Sequence, residues 1–337
     1  GGALRSTMRI FNVSADDFDL EKTLDSGQVF HWQKIGNTVW GTIGEIALCL
    51  EQDGGFLKMR AAGTELDGLK PSSFKPGHRV GKGEDLERLV RHYFALDHRL
   101  AKICAAFPRD PTMTAARDFC RGLRIIRQPR WECLATFITS SMKQVAHIRQ
   151  ISLTLRRRYG ESKQLRGHSL FTFPSAELLA ELTEPELRAC ALGYRAKNLL
   201  ATARLVARGE ANLEAWSKLP DDALRAQLCE LPGVGAKVAN CVMLFAYERL
   251  RAFPIDVWIE RVLRQQYFPR KRKVTPQQLR QFCDDYFGEH GGYAQQYLFH
   301  HARKGTTVQA KAVAVVPPRD LRYDLEVKPT TPGVAPK

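Results

Sequence analysis

Leu231-Pro232-Gly233-Val234-Gly235-Ala236-Lys237 constrains this chain more than any other stretch. A proline and two glycines close one helical pattern near Leu231 and open another that runs from Lys237 to Leu250. Glycine tolerates backbone angles closed to other residues, and the start of a helix exposes unpaired N–H groups. The combination predicts a helix-hairpin-helix. Gly233, Val234 and Gly235 would grip a phosphate there without reading sequence. Lys237 is the unusual member. It stands just inside the second helix, and Asp256 in Phe253-Pro254-Ile255-Asp256-Val257 enters from another loop. The bland readings are a phosphate contact for Lys237 and a helix N-cap for Asp256, because Val257-Trp258-Ile259 opens a further helix. A simple phosphate-binding hairpin needs neither residue, so the pair points to a catalytic site.

The charge agrees with a polyanionic partner. Lys and Arg total 51 against 36 Asp and Glu, a formal net charge of +15 over 337 residues. Nucleic acid is the natural reading. No apolar run approaches the length of a membrane span and no secretory signal is visible, so neither a membrane nor secretion is expected. Met8 is the expected natural start, with residues 1–7 an extraneous leader. The eight cysteines form no Cys-x-x-Cys pair, which argues against a zinc ribbon or an iron–sulfur loop and for reduced core residues. No metal or cofactor is expected.

The fold class predicted is α+β, in three parts. Residues 8–115 carry short β-prone runs, Val39-Trp40-Gly41-Thr42-Ile43 and Ile46-Ala47-Leu48-Cys49-Leu50. Gly36-Asn37 and Asp53-Gly54-Gly55 supply turns, which predicts an antiparallel sheet followed by a helix over 84–94. Residues 116–304 are helical in pattern, with apolar positions 134, 137, 138, 145, 148, 151 and 155 near a helical period and a break near Ser140-Ser141. Further helices are predicted over 175–192, 196–207, 221–231, 237–250, 257–267 and 276–287. Residues 305–337, rich in Pro, Val and Thr, read as an irregular tail. The basic run at 268–274 reads as a surface loop rather than an import signal.

A lysine amine can attack the anomeric carbon of a nucleotide, expel the base and collapse to a Schiff base. It must be neutral to do so, and burial or nearby positive charge is the usual route. A carboxylate beside it can stabilise positive charge on the sugar or handle a proton in a later elimination.

From about residue 10 to 303 the chain resembles the 8-oxoguanine DNA glycosylase/lyase family. Five stretches carry the resemblance: Gly27-Gln28-Val29-Phe30-His31-Trp32; Arg127-Gln128 with Glu132-Cys133-Leu134 and Phe137-Ile138; Leu192-Gly193-Tyr194-Arg195-Ala196; the hairpin from Leu228 to Cys241; and Tyr293-Ala294-Gln295-Gln296-Tyr297-Leu298-Phe299. The resemblance implies Lys237 as nucleophile and Asp256 as its carboxylate partner. It implies that the Gly27 carbonyl accepts a hydrogen bond from the N7–H that 8-oxoguanine has and guanine lacks. Phe299 and Cys241 would face the two sides of the flipped base, and Gln295 would read its Watson–Crick edge. Tyr194 would wedge into the duplex and Arg195 would contact the base left behind. The implied partner is double-stranded DNA containing a damaged base, bound by a monomer. The protein would sit at the nucleoid in a bacterium or in the nucleus of a eukaryote.

The chain departs from the family in two places. Where the family has two asparagines and then an arginine, it has Met142, Lys143 and His147. Met142 would plug the gap left by the base and Lys143 would reach a phosphate. His147 is a poor substitute for a bidentate arginine, so weaker selection of the opposite base is expected. Trp258 stands where a histidine commonly grips a phosphate. Two alternatives stay open: the same scaffold acting on another damaged purine, and a non-catalytic DNA-binding hairpin protein.

Overall fold

The structure, a computed structural model, describes residues 9–61, 82–140, 143–270 and 273–313. An antiparallel sheet comes first: β1 (Arg9–Ser14), β2 (Gln33–Ile35), β3 (Thr38–Ile43), β4 (Ile46–Asp53) and β5 (Phe56–Ala61), in the order β1-β5-β4-β3-β2. The short helix α1 (Leu20–Asp25) follows β1 and is capped by Asp19, which accepts from the Lys22 N–H at 2.9 Å. Alternation along β4 serves two cores. Ile46, Leu48 and Leu50 pack with Val13, Leu57 and Met59, while Ala47 and Cys49 pack on the opposite face. α2 (Lys82–Tyr93) covers the first face through Leu86 and Val90.

The second face is covered by a hairpin that sequence patterning did not bring out, β6 (Ser162–Leu165) and β7 (His168–Phe171). Arg166 and Gly167 both take positive φ, 51° and 79°, which suits a two-residue turn whose twist matches the strands. Its Leu165 and Leu170 join Trp40, and the His168 ring lies 4.3 Å from the Trp40 ring.

The rest is helical: α3 (Leu100–Ala105), α4 (Pro111–Phe119), α5 (Arg130–Ser140), α6 (Val145–Tyr159), α7 (Ala176–Glu181), α8 (Glu184–Leu187), α9 (Arg195–Ala207), α10 (Asp221–Cys229), α11 (Ala236–Ala246), α12 (Val257–Val262), α13 (Pro276–Phe287) and α14 (Gly291–Val313). The break expected near Ser140 separates α5 from α6. Leu100, Ile103 and Met113 pack into the helical core, although they precede residue 116. α14 explains this, since it lies against α4, with the Phe119 ring 5.8 Å from His300 and 5.4 Å from His301.

α14 also corrects the reading of the tail. It continues through Val313, nine residues into the stretch read as irregular. The Pro/Val/Thr composition belongs to residues 314–337, outside the described residues. Of the cysteines, six are buried, Cys104 is half-buried and Cys229 is exposed; all eight are free.

Candidate active site

The hairpin joins α10 to α11. Gly233 takes φ +83°, and a Cβ there would meet Asn198 Cβ at 2.8 Å and Ile138 Cγ2 at 3.2 Å. Glycine is required twice over, for conformation and for space. Gly235 differs from the expectation. Its φ is −98°, open to any residue, and an added Cβ would meet nothing within 4 Å. Its missing side chain leaves the first turn of α11 bare. That helix has no side-chain N-cap, so its leading N–H groups face outward without one. Thr202 on α9 fixes the turn by donating to the Pro232 carbonyl at 3.0 Å.

Lys237 is half-buried one residue into α11. Its Nζ sits 5.2 Å from the centre of the Phe137 ring and donates to Ser140 Oγ at 3.5 Å. Both contacts come from the last turn of α5. Ser140 is itself held, donating to the Phe137 carbonyl at 2.8 Å. Cys241 follows one turn after Lys237. Burial pushes its thiol up to about 11 against the opposing charge of Lys237, so the sulfur is neutral at ordinary pH.

Asp256 is the helix cap that the sequence allowed, accepting from the Ile259 N–H of α12 at 2.8 Å, and it also lies within electrostatic reach of Lys237. Burial raises its carboxyl above the ordinary aspartate range, outweighing the Ile259 N–H and the lysine. A cavity of about 140 Å³ lies beside Lys237, lined among others by Asn240, Phe253, Ile255 and Glu260.

Gly27 and α14 come together in space. Gly27 takes φ +85°, and a Cβ on it would lie 2.9 Å from Phe299 Cε1, so only glycine lets its backbone meet that ring. Phe299 is half-buried at the core edge. Gln295, one turn earlier, is 3% exposed, and its Oε1 is buried without a protein partner. An unpaired buried acceptor costs roughly 1–3 kcal/mol and marks a place for an incoming donor. Gln28 is structural: its amide donates to Arg124 O at 2.8 Å and accepts from the Ile126 N–H at 2.8 Å.

Gly193 (φ +59°) and Ala191 (φ +63°) shape the turn before Tyr194, a strained path that leaves that ring 59% exposed. Arg195 is not presented with it. It is 5% exposed, stacks 4.4 Å from the Tyr194 ring centre and donates to the Leu192 carbonyl at 3.3 Å. His147 is exposed on the first turn of α6 and Lys143 is half-buried just before it. Met142 lies outside the described residues. Trp258 is exposed at the start of α12, with the Arg261 guanidinium 5.4 Å from its ring. Arg261 thus sets a positive charge beside Trp258. The sequence reading missed Phe137, Ser140 and Arg261 as site residues, because nothing in their spacing separates them from ordinary helix positions.

A hairpin bearing a lysine, set against a loop aspartate in this helical scaffold, defines a base-excision DNA repair protein. The family model described as the HhH-GPD superfamily base excision DNA repair protein matches residues 135–287, and that of the 8-oxoguanine DNA glycosylase N-terminal domain matches residues 10–134. The chain belongs to the 8-oxoguanine DNA glycosylase/lyase family. It is 27% identical to the N-glycosylase/DNA lyase OGG1 of Arabidopsis thaliana, over 84% of this chain and 77% of that one. It is 30% identical to a probable N-glycosylase/DNA lyase of Methanothermobacter thermautotrophicus, over 59% and 69%. Among solved structures it resembles the Clostridium acetobutylicum 8-oxoguanine glycosylase/lyase in complex with double-stranded DNA containing cytosine opposite 8-oxoguanine. That match has a TM-score of 0.76 and 28% identity, and covers 88% of this chain and 98% of that one. A structure of MBOgg1 with a low-affinity DNA ligand gives 0.78 and 30%, covering 89% and 96%.

Proposed function

We propose that this glycosylase/lyase releases 8-oxoguanine from duplex DNA with Lys237 as nucleophile, then nicks the strand by β-elimination. The amine attacks the anomeric carbon as the bond to the base breaks, and the bonding pair leaves with the base, which takes up a proton. Ring opening gives a Schiff base. Loss of a proton from the neighbouring sugar carbon then expels the 3′ phosphate. Asp256, held by α12 and coupled to Lys237, stabilises the positive sugar in the first step. Ser140 Oγ and the Phe137 face hold the amine on its carbon stem.

The observation that carries the choice of base is the orphaned Gln295 Oε1 beside the Gly27–Phe299 contact. A guanine-type Watson–Crick edge supplies N–H donors to that oxygen, and the Gly27 carbonyl accepts the extra N7–H of the oxidised base. Cys241, a neutral thiol, offers a polarisable second face. Tyr194 is the wedge, and the bare start of α11 with Gly233, Val234 and Gly235 holds a phosphate of the bound duplex. Lys143 and the Trp258–Arg261 pair add further grip. His147 replaces a bidentate reader, and Arg195 has to leave its place beneath Tyr194 to meet the orphaned base. Opposite-base selection is therefore weak. The enzyme acts as a monomer and resides wherever the cell keeps its DNA.

Borohydride trapping tests this. Wild type and Lys237→Gln are incubated with duplexes carrying one 8-oxoguanine opposite C, A, G or T, with an undamaged duplex as control. Trapping by wild type alone, at comparable rates opposite all four partners, is the expected result. A strict cytosine requirement defeats the account of His147 and Arg195. Absence of both trapping and base release defeats the substrate.

A further inference from the structure

Three residues on α14 reach back to the turn that carries Gly27, and two of them have no part in reading the base. Gln296, Phe299 and Arg303 are spaced i, i+3, i+7 and so share one helix face. Gln296 Nε2 donates to the Ser26 carbonyl at 2.6 Å. Phe299 packs against Gly27. Arg303 Nη2 donates to the Asp25 carbonyl and lies 3.9 Å from Asp25 Oδ1, while Nη1 lies 3.7 Å from where a Gly27 Cβ would stand. The guanidinium also lies 5.5 Å from the Phe299 ring centre. Its side chain is only 12% exposed. A cation drawn this far from water needs partners to hold it, and those include the turn, the ring and the charges of Asp25 and Asp256.

We propose that Arg303 is a positioning residue that locks the Asp25–Gly27 turn to Phe299, so that the carbonyl reading the base and the ring stacking on it are held as one unit. This rests on the reading of Gly27 and Phe299 as the base pocket. Arg303 lies midway along α14, after the stretch anchored by buried Tyr293, Tyr297 and Leu298. Its loss therefore releases the turn and the ring without undocking α14. Lys304 supplies an internal comparison, because it pairs with the carboxylate of the same Asp25 at 2.6 Å.

The full-length chain is tested as wild type, Arg303→Leu, Arg303→Lys and Lys304→Ala. Two single-turnover rates are read: release of 8-oxoguanine, and β-elimination at a preformed abasic site, which needs Lys237 but no base pocket. Misplacing a reacting group by about an ångström can slow chemistry by about 100-fold, so Arg303→Leu is expected to slow base release by roughly 10–100-fold while abasic cleavage stays within about twofold. Arg303→Lys, which keeps a cation and a donor, recovers part of the loss, and Lys304→Ala leaves both rates near wild type. Equal loss of both activities, or base release unchanged in Arg303→Leu, overturns the proposal. If Arg303→Leu does not fold, Arg303→Lys carries the same comparison. A wild type that cleaves abasic DNA yet releases no 8-oxoguanine overturns the base-pocket reading first, and this assignment with it.

Discussion

Asp256 has opposing effects on stability and on chemistry. As N-cap it satisfies the Ile259 N–H at 2.8 Å, and as a half-buried anion it is held near Lys237 at the expense of solvation. Its carboxyl is raised above its ordinary value of 3.8, chiefly by burial. The folded state therefore binds the Asp256 proton more tightly than the unfolded state. This contribution makes stability fall as pH rises from 3.8 through the raised value, and the deficit persists at neutral pH. Asparagine caps a helix about as well as aspartate but carries no charge. Asp256→Asn is thus expected to match or exceed wild type in thermal midpoint at pH 7. Its base release is expected to fall by about 100- to 1,000-fold, the usual loss when a group aimed at developing charge is removed. Asp256→Ala also loses the cap and should be about 1 kcal/mol less stable than Asp256→Asn. The pH–rate profile of wild type should show its acid limb above the ordinary aspartate range, and the limb should vanish in Asp256→Asn. A Asp256→Asn protein that is clearly less stable than wild type at pH 7 would mean that the charge stabilises the fold.

The hairpin separates two uses of glycine within one element. Gly233 needs its positive φ and its empty flank against Asn198 and Ile138, whereas Gly235 sits in an extended conformation with open space ahead. Gly233→Ala is expected to destabilise the protein by more than about 1 kcal/mol, since alanine meets both strain and overlap. Gly235→Ala should leave the melting temperature near wild type but weaken duplex binding, because its Cβ projects where a phosphate approaches. Melting curves and a DNA titration on the same two proteins check both halves; equal loss of stability in the two would sink the distinction. The sequence marked this element well because glycine, proline and lysine have few reasons to occur in that order. It marked the Gly27 and Phe299 partners only through family resemblance, since their meeting depends on a helix far along the chain. It did not mark β6 and β7, whose strands are four residues each and rich in polar side chains. It assigned residues 305–313 to an irregular tail on the Pro/Val/Thr composition of the whole stretch 305–337, and the i, i+3, i+7 face ending at Arg303 went unrecognised with it. The burial of Arg195 was likewise invisible, because it depends on a strained turn at Ala191 and Gly193 that no local propensity announces.

At the scale of the molecule, one buried charge cluster joins the sheet to the helical body. Arg156 on α6 donates to Glu132 on α5, to Thr42 Oγ1 on β3 at 2.9 Å and to the Phe171 carbonyl on β7 at 3.0 Å. His31 completes it, with Nε2 2.8 Å from the Thr42 carbonyl and Nδ1 3.5 Å from Glu132. Burial drives the imidazole well below its ordinary range, so His31 is neutral here and Arg156 is the cation that answers Glu132. These side chains come from four separated stretches, which is why no motif announced them. Their position matters to the site: α5 carries Phe137 and Ser140 under Lys237, and His31 follows the Gly27 turn by four residues. Breaking a buried pair leaves one charge unanswered, and Arg156→Met is expected to destabilise the protein by about 3–5 kcal/mol. Replacing both partners with apolar residues removes that unanswered charge, so Glu132→Leu/Arg156→Met should recover most of the loss. Denaturant unfolding at pH 7 distinguishes the cases. A double variant as unstable as Arg156→Met would mean that Arg156 acts through Thr42 and Phe171 rather than through Glu132. If the cluster sets how α5 meets the sheet, the double variant will also release 8-oxoguanine more slowly than wild type under conditions where both are fully folded. Apolar packing can restore stability without restoring the three directed hydrogen bonds of Arg156 that tie α6 to α5, β3 and β7.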